Sequence, residues 1–220
     1  MTRRRQDRGP SARLPVAALA IALLAGALLL TRLSGTAPAD SGTPAEDSDA
    51  VGFSRDMAVH HQQAVEMSLS VLRHGTSPEV RTLAYDIANT QAAQRGMMLG
   101  WLRLWGRTAT TSGPPMRWMD MPPTSAEDRR RGVLMPGMAS RADLSALAAA
   151  RGHRADALYL RLMITHHRGG VHMAEAVTAD GTPQAVLRMA REMVRSQRTE
   201  IDLMKDIAER LGGAEHARTG

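Results

Sequence analysis

Two copies of a short stretch rich in histidine and methionine stand 106 residues apart in this chain. The first copy runs from Asp56 to Met67 and the second from Leu162 to Met173. Each copy keeps a methionine, two adjacent histidines, a valine and a second methionine at the same spacing. The matched residues are Met57, His60, His61, Val65 and Met67 in the first copy and Met163, His166, His167, Val171 and Met173 in the second. Such an internal repeat constrains the architecture before any other pattern does.

The repeated residue types suit a soft metal ion. On a helix each residue advances about 100°, so the methionines and histidines of one copy share roughly a third of its circumference. Ala64 and Gly170 leave room in the middle of that face, whereas Glu66 and His172 point to the far side. Thioether and imidazole together favour copper, and methionine favours the cuprous ion. The chain has no cysteine, so a copper site would use methionine and histidine.

The same residues also have a purely structural interpretation. Methionine at helical spacing commonly fills a core. Paired buried histidines are harder to explain in that way, because each ring must be hydrogen-bonded, charged or ligated. The repeat therefore predicts metal ligands, with Met138 of the connecting segment as a further candidate. The predicted ligands are Met57, His60, His61, Met67, Met163, His166, His167, Met173 and Met138.

Polar residues of the neighbouring helices are predicted to support the site. Gln91 and Gln197 occupy equivalent positions in apolar stripes, and Gln94 and Glu200 follow three residues later. These side chains, above all Gln91, Gln197 and Glu200, could orient the histidine rings from behind. A polar layer that fixes the register of a helical bundle is the alternative interpretation.

The elements around the repeat are predicted to be helices. The first copy lies in a predicted helix from Phe53 to about Arg73. The residues from Gly75 to Pro78 are predicted to end this helix and to start a second one, which runs to about Gly106. The second half repeats this plan, with a helix over about 155–179, a stop at 181–183 and a final helix. Two such hairpins joined by a long crossover predict an all-α, ferritin-like four-helix bundle with a pseudo-twofold axis.

Two features break the regularity of the halves. The crossover, residues 107–140, is rich in proline and methionine, and Ser140 with Asp143 resembles a capping box that opens a short helix through Ala150. Gly169 and Gly170 stand within the second copy and are expected to loosen its helix by about 1 kcal/mol each. The two copies are therefore expected to bind metal with different affinities.

The N-terminus predicts export. Arginines precede an uncharged apolar run from Leu14 to Leu30, which predicts a cytoplasmic N-terminus and a single membrane-spanning anchor, or a secreted protein if the segment is cleaved. The charge of +6 is scattered, without the aromatic-interleaved basic patch of a nucleic-acid-binding protein. The predicted segments are a basic tail (1–13), a membrane segment (14–32), a linker (33–50), a bundle (51–212: first hairpin 51–106, crossover 107–140, short helix and second hairpin 141–212) and a disordered tail (213–220).

The chain resembles a family of exported bacterial domains, the domain of unknown function 305. The resemblance rests on the two His-His/Met motifs, on Met135-Pro-Gly-Met138 and on Gln197-x-x-Glu-Ile201 with Met204, and it covers about 51–211. It implies a ferritin-like fold and, by analogy with members regarded as periplasmic copper-binding proteins, a bound copper ion. Gln94-Arg95, Gly169-Gly170 and His172 depart from the usual pattern.

Three functions follow in order of preference. The first is an anchored extracytoplasmic protein that binds, buffers or chaperones copper and passes it to a copper-handling partner. The second is a metal-free helical interaction module whose histidines serve structure or pH sensing. The third is a ferritin-like di-iron oxidase, which needs Glu-x-x-His pairs that these helices lack.

Overall fold

The computed structural model describes residues 42–119, 121–122 and 124–219, with side chains through residue 212. All regular secondary structure in these ranges is helical, which confirms the predicted all-α class for this part of the chain. The six helices are α1 (Asp49–His74), α2 (Pro78–Leu104), α3 (Ala126–Arg131), α4 (Arg141–Ala149), α5 (Gly152–Glu175) and α6 (Gln184–Thr219). Helix α1 packs on α2, α5 packs on α6, and α1 also packs on α5.

The turn between α1 and α2 is built by capping residues. The Ser77 hydroxyl accepts a hydrogen bond from the Val80 amide at 3.4 Å, and Pro78 occupies the first turn of α2. These are the roles that the sequence predicts for a helix start, since the first turn has amides without helical partners. Gly75 has an extended backbone (φ −77°, ψ 156°) and therefore does not end α1 with a left-handed residue.

A buried carboxylate fastens this turn to the second half of the chain. Asp156 of α5 is fully buried, and its Oδ2 accepts hydrogen bonds from the amides of Thr76 (3.1 Å) and Ser77 (3.0 Å) and from the Thr76 hydroxyl (3.2 Å). A Cβ at position 75 would lie 2.2 Å from Asp156 Oδ1. Gly75 is therefore required for a close approach of this turn to α5.

The apolar core divides into two clusters along the helices. The first cluster is largely aliphatic, and the second is dominated by methionine. The first cluster contains Ala64, Met67, Val71, Val80, Leu83, Ala84, Ile87, Ala139, Leu147, Ala150, Ala155, Tyr159, Leu160, Leu162, Met163, Val171, Ile201, Met204 and Ile207. The second cluster contains Ala50, Phe53, Met57, Ala58, Met98, Met116, Met119, Met135, Met173, Ala174, Val186, Met189, Ala190 and Met193.

The crossover contains more helix than the sequence predicts. Helix α3 is capped by the Ser125 hydroxyl, which accepts from the Asp128 amide at 3.0 Å, and it ends at Gly132 with φ 87°. Helix α4 opens with the predicted capping box, in which Ser140 and Asp143 each accept a hydrogen bond from the other's backbone amide. The described part of the crossover thus contributes Met116, Met119 and Met135 to the core, whereas Met121 is exposed.

The predicted N-terminal segments 1–13 and 14–32 and the first half of the predicted linker, residues 33–41, lie outside the described residues. Within the described ranges, none of the helices combines the length and the apolar character that crossing a bilayer requires. Helix α1 begins at Asp49, four residues before the predicted start at Phe53. At the other end, α6 continues to Thr219, through residues 213–219 that the sequence predicts to be a disordered tail.

Candidate metal centre

Four histidine rings come together where α1 and α5 pack against each other. His60 and His166 lie face to face, with ring centroids 3.8 Å apart and planes tilted by 32°. Each also neighbours the histidine that follows it in its own helix, His61 at 6.5 Å and His167 at 6.3 Å between centroids. All four rings are at most 1% exposed. The structure therefore brings the four predicted imidazoles into one buried layer.

The inner pair, His60 and His166, is held by backbone carbonyl groups. His60 Nε2 lies 3.1 Å from the carbonyl oxygen of Pro136, and His166 Nε2 lies 3.1 Å from the carbonyl oxygen of His60. A carbonyl oxygen can only accept, so in each ring Nε2 carries the hydrogen and donates it. The other nitrogen, Nδ1, then has a lone pair in the neutral ring.

The outer pair, His61 and His167, is held by side chains of the partner helices. His61 Nε2 lies 2.8 Å from Gln94 Oε1, and His167 Nε2 lies 2.7 Å from Glu200 Oε2. Gln94 and Glu200 are equivalent positions of the repeat, each 33 residues after its histidine. Glu200, which the sequence predicts to orient a histidine ring, thus hydrogen-bonds His167, and its role behind a metal ion stays a prediction. With the amide of Gln94 oriented so that its oxygen accepts, Nδ1 is again the unprotonated nitrogen.

Burial keeps three of these rings neutral. Loss of water and the neighbouring His61 together lower the pKa of His60 to about 3, against the opposing effect of its hydrogen bond to the Pro136 carbonyl. Burial lowers the pKa of His61 to about 4, although its hydrogen bond to Gln94 raises it. The pKa of His166 is held well below its usual value, first by burial and then by the adjacent histidines. Three imidazoles are therefore neutral bases at physiological pH.

The buried layer retains unused ligand atoms. The Nδ1 atoms of His60, His61, His166 and His167 are buried, and none has a hydrogen-bond partner. A buried polar atom without a partner is unfavourable by about 1–3 kcal/mol, so four in one layer require an explanation. A soft metal ion fits, because it would bind the lone pairs that the Nε2 hydrogen bonds leave on Nδ1.

Imidazole and carboxylate groups alone do not complete such a site. Within the described residues, no three His, Asp or Glu side chains converge in a way that could hold a metal ion. Thioether sulfurs must therefore contribute if an ion binds here. Met57, Met67, Met163 and Met173 are all fully buried, so four thioethers are present in the same core.

The fold pairs these methionines across the repeat. Met67 and Met163 belong to the first cluster, and Met57 and Met173 belong to the second. Since His60 contacts His166 between them, α1 and α5 pass each other in opposite directions. Each end of the histidine layer thus receives one methionine from each copy. Met138 is half-buried and packs against the second cluster, where its amide donates to the Met135 carbonyl oxygen at 3.2 Å.

Gly169 allows the crossover to approach the site. A Cβ at this position would lie 2.0 Å from the carbonyl oxygen of Pro136 and 2.8 Å from Gly137 Cα. This Pro136 oxygen is the one that accepts from His60. At the equivalent position of the first copy, the amide of Gln63 donates to the Ala139 carbonyl oxygen (3.0 Å) and accepts from the Ala139 amide (2.7 Å). Both copies thus hold the crossover against the histidine layer.

Gly170 makes room for a glutamine side chain. A Cβ at position 170 would lie 2.4 Å from Gln197 Oε1. Helix α5 is continuous through both glycines, and the loss of helix stability expected from them stays a prediction. Gln91 and Gln197 are buried, but neither forms a hydrogen bond to a histidine among the described residues, and Gln91 Oε1 and Nε2 and Gln197 Oε1 have no partner. The ring-orienting atoms are those of Gln94, Glu200 and the two backbone carbonyls.

Two contributors to the site were not predicted. The Pro136 carbonyl group leaves no sequence signal, because any residue has a backbone oxygen. Gln63 did leave a signal, since it stands within the repeated stretch where the other copy has Gly169. A long amide side chain in the first copy and a glycine in the second indicate that another segment hydrogen-bonds to the first copy and packs closely against the second.

Solved structures of similar proteins share this fold. A Streptomyces coelicolor protein that is designated as secreted is 49% identical, with a match that covers 76% of this chain and 96% of the other at a TM-score of 0.68. A fragment from Deinococcus radiodurans is 32% identical over 74% of this chain and 96% of its own, at a TM-score of 0.59. CopM in its Cu(I)-bound form is 26% identical over 74% and 96%, at a TM-score of 0.55.

No curated protein matches the chain. The family described as a domain of unknown function (DUF305) matches residues 50–208, which contain both repeated stretches, the crossover and all the histidines of the buried layer. Both the S. coelicolor and the D. radiodurans structures are of DUF305 proteins. The chain belongs to the DUF305 family.

Proposed function

We propose that this protein binds cuprous ion outside the cytoplasm and buffers it or delivers it to another copper-handling protein. One observation carries the proposal: four buried Nδ1 atoms without hydrogen-bond partners lie in a layer flanked by fully buried methionines. Copper is the metal that this mixture of imidazole and thioether ligands suits, and methionine favours its reduced form.

The surrounding groups prepare the ligands for such an ion. The Pro136 and His60 carbonyls, Gln94 and Glu200 accept from Nε2 and so direct the lone pair of each ring to Nδ1. Because the pKa values of His60 and His61 are about 3 and 4, a metal ion has no proton to displace from these rings at neutral pH. The thioethers of Met57, Met67, Met163 and Met173 would supply the soft ligands.

The similar proteins support the proposal in two respects. CopM has been seen with Cu(I) bound, and its match covers nearly the whole of its own chain. The S. coelicolor relative is designated as secreted, which agrees with the apolar segment 14–32 as an export signal or a single-pass anchor. We further infer that α1, α2, α5 and α6 form a ferritin-like four-helix bundle over about 51–212, since two hairpins joined by a crossover are wired in this way.

Anaerobic titration of the protein with Cu(I) against a chromophoric cuprous chelator tests the proposal. The informative variants are Met57→Leu/Met173→Leu and Met67→Leu/Met163→Leu, because leucine preserves volume and the exchange usually changes stability by less than about 1.5 kcal/mol. We expect at least one double variant to bind Cu(I) at least tenfold more weakly. Met204→Leu, a fully buried methionine outside the repeated stretches, is the matched control and should bind as the parent does.

A histidine series completes the experiment. His60→Gln/His166→Gln removes the Nδ1 lone pairs of the inner pair and should abolish tight binding while circular dichroism stays helical. Absence of Cu(I) binding by the parent protein would refute the proposal and favour a metal-free helical module. Binding that all three double variants retain unchanged would refute the assignment of these ligands.

A further inference from the structure

A second imidazole–thioether pair lies at the surface, away from the buried layer. His172 is exposed on the outward face of α5, and its Nε2 is 3.2 Å from Sδ of Met121 in the crossover. Met121 is itself 37% exposed, so both groups can be reached from solvent. The sequence places His172 on the far side of its helix from the predicted site, and the structure gives it a methionine partner there.

Hydrogen bonding alone is a weak reason for this contact. A thioether sulfur is a poor acceptor, and an exposed imidazole can bond to water instead. The two groups are, however, the same ligand types that form the buried site. Metal–nitrogen and metal–sulfur bonds of about 2.0 and 2.3 Å separate two opposed ligands by roughly 4.3 Å, so an opening of about 1 Å between these exposed side chains would admit an ion.

Buried methionines connect this pair to the histidine layer. The Met121 amide donates to the Met119 carbonyl oxygen at 2.8 Å, and the Met119 amide donates to that of Met116 at 3.2 Å. Met116 and Met119 are buried in the second cluster together with Met57 and Met173. Met121 thus lies two residues along the chain from Met119, which shares its cluster with the two methionines at one end of the histidine layer.

Methionine is concentrated in the second of the two clusters. Among the described residues, eight of the fourteen buried members of the second cluster are methionine, against three of nineteen in the first. Three of these eight, Met116, Met119 and Met135, come from the crossover. Thioethers are ligands for soft cations as well as core residues, so the second cluster offers several such ligands close together in the fold.

We propose that His172 and Met121 form an exposed, two-ligand entry site for a soft monovalent cation, from which the ion passes along the methionines of the second cluster to the buried layer. The inference rests on the proposed function for the destination of the ion. The exposed pair is nevertheless a separate site with its own ligands. It can therefore be observed separately from the buried site.

Silver ion is a suitable probe, because it is a soft monovalent cation that does not change its oxidation state in air. The full chain, labelled with ¹³C at the methionine methyl groups, is titrated with Ag(I), and each methyl signal is followed by NMR. We expect the Met121 methyl to shift with its own saturation curve, distinct from those of Met57 and Met173. His172→Gln should abolish the Met121 shift and leave the final shifts of the buried methyls unchanged.

The entry role predicts a change in rate. In stopped-flow mixing with Ag(I), His172→Gln should load the buried site at least several-fold more slowly, with its final occupancy unaltered. His153→Gln removes another exposed histidine and is the control. Met97 provides the control signal, because it is a 48% exposed methionine of α2 that forms no hydrogen bond to a histidine within the part of the chain that the structure describes.

The outcomes separate this inference from the proposed function. A Met121 methyl that shifts no more than that of Met97, or that still shifts in His172→Gln, would overturn the exposed site. Equal loading rates for His172→Gln and the parent would overturn its entry role. If only Met121 responds to Ag(I), the exposed site stands and the buried site fails.

Discussion

Replacement of Gly169 by alanine tests how the crossover is held against the histidine layer. The new Cβ would lie 2.0 Å from the Pro136 carbonyl oxygen, whereas nonbonded heavy atoms are most stable at about 3.5–4.0 Å. The nearest atoms all belong to the backbone of Pro136 and Gly137, so no side chain can rotate away. The crossover must therefore move by roughly 1.5–2 Å from α5.

The expected loss of stability is the sum of opposing terms. Forced repacking of a close contact is unfavourable by about 1–3 kcal/mol. Movement of Pro136 also breaks the 3.1 Å hydrogen bond from His60 Nε2, and a buried donor without a partner adds about 1–3 kcal/mol. Alanine regains about 1 kcal/mol of helix propensity. We therefore expect Gly169→Ala to lower the free energy of unfolding by roughly 2–4 kcal/mol.

Urea denaturation followed by circular dichroism measures this change. Gly96→Ala and Gly100→Ala in α2 are matched controls, because a Cβ at either position meets nothing within 4 Å. These two variants should gain up to about 1 kcal/mol from helix propensity. A Gly169→Ala protein as stable as the Gly96→Ala protein would refute the conclusion that this glycine exists for close packing.

Two further predictions concern buried polar groups. The pKa values of His60 and His61 are about 3 and 4 in the folded protein but about 6.5 in an unfolded chain, so between pH 6.5 and pH 4 mainly the unfolded state takes up protons and the protein loses stability as the pH is lowered. Between pH 7 and pH 5 the urea midpoint should reflect a loss of about 2 kcal/mol per ring, and an unchanged midpoint would contradict the buried neutral rings. Asp156→Ala leaves the Thr76 and Ser77 amides without their acceptor and should lower the free energy of unfolding by roughly 2–4 kcal/mol in the same assay. Asp202→Ala, at an exposed position, should change the free energy of unfolding by less than about 0.5 kcal/mol, and equal effects of the two substitutions would contradict the capping role of Asp156.

Local signals explain what the sequence predicted well about the helices. The starts at Ser77 and Ser140 were predicted because a capping side chain and the amide it accepts from stand within three residues of each other. Helix α3 was missed, since six residues with no buried side chain give no apolar periodicity. Its signals were the serine cap at Ser125 and the glycine at 132, which are common in turns as well.

The candidate site was predictable only in part, for a comparable reason. Helical spacing placed the histidines and methionines of each copy on one face, and the structure buries all of them. The groups that orient the inner pair are distant in sequence, since Pro136 stands 76 residues from His60. Gly169 was expected to loosen α5 because propensity considers a helix in isolation. In the fold, its missing side chain is the space that the crossover backbone occupies.

The hydrogen bonds of the outer pair follow the twofold repeat, whereas those of the inner pair do not. The site is therefore asymmetric. His61 and His167 bond to equivalent residues, Gln94 and Glu200, as a twofold axis requires. His60, however, bonds to the crossover, whereas His166 bonds to the backbone of α1, because a single crossover cannot lie on both sides of the axis.

The methionines follow the same asymmetry. The end of the layer with Met57 and Met173 lies in the methionine-rich second cluster, and the end with Met67 and Met163 lies among aliphatic side chains. A soft ion at the first of these ends has further thioethers within the same cluster to which it can exchange, whereas an ion at the other end has few. Under the proposed function, the crossover would thus give a duplicated, symmetric set of candidate ligands a distinct side for arrival and release of the ion.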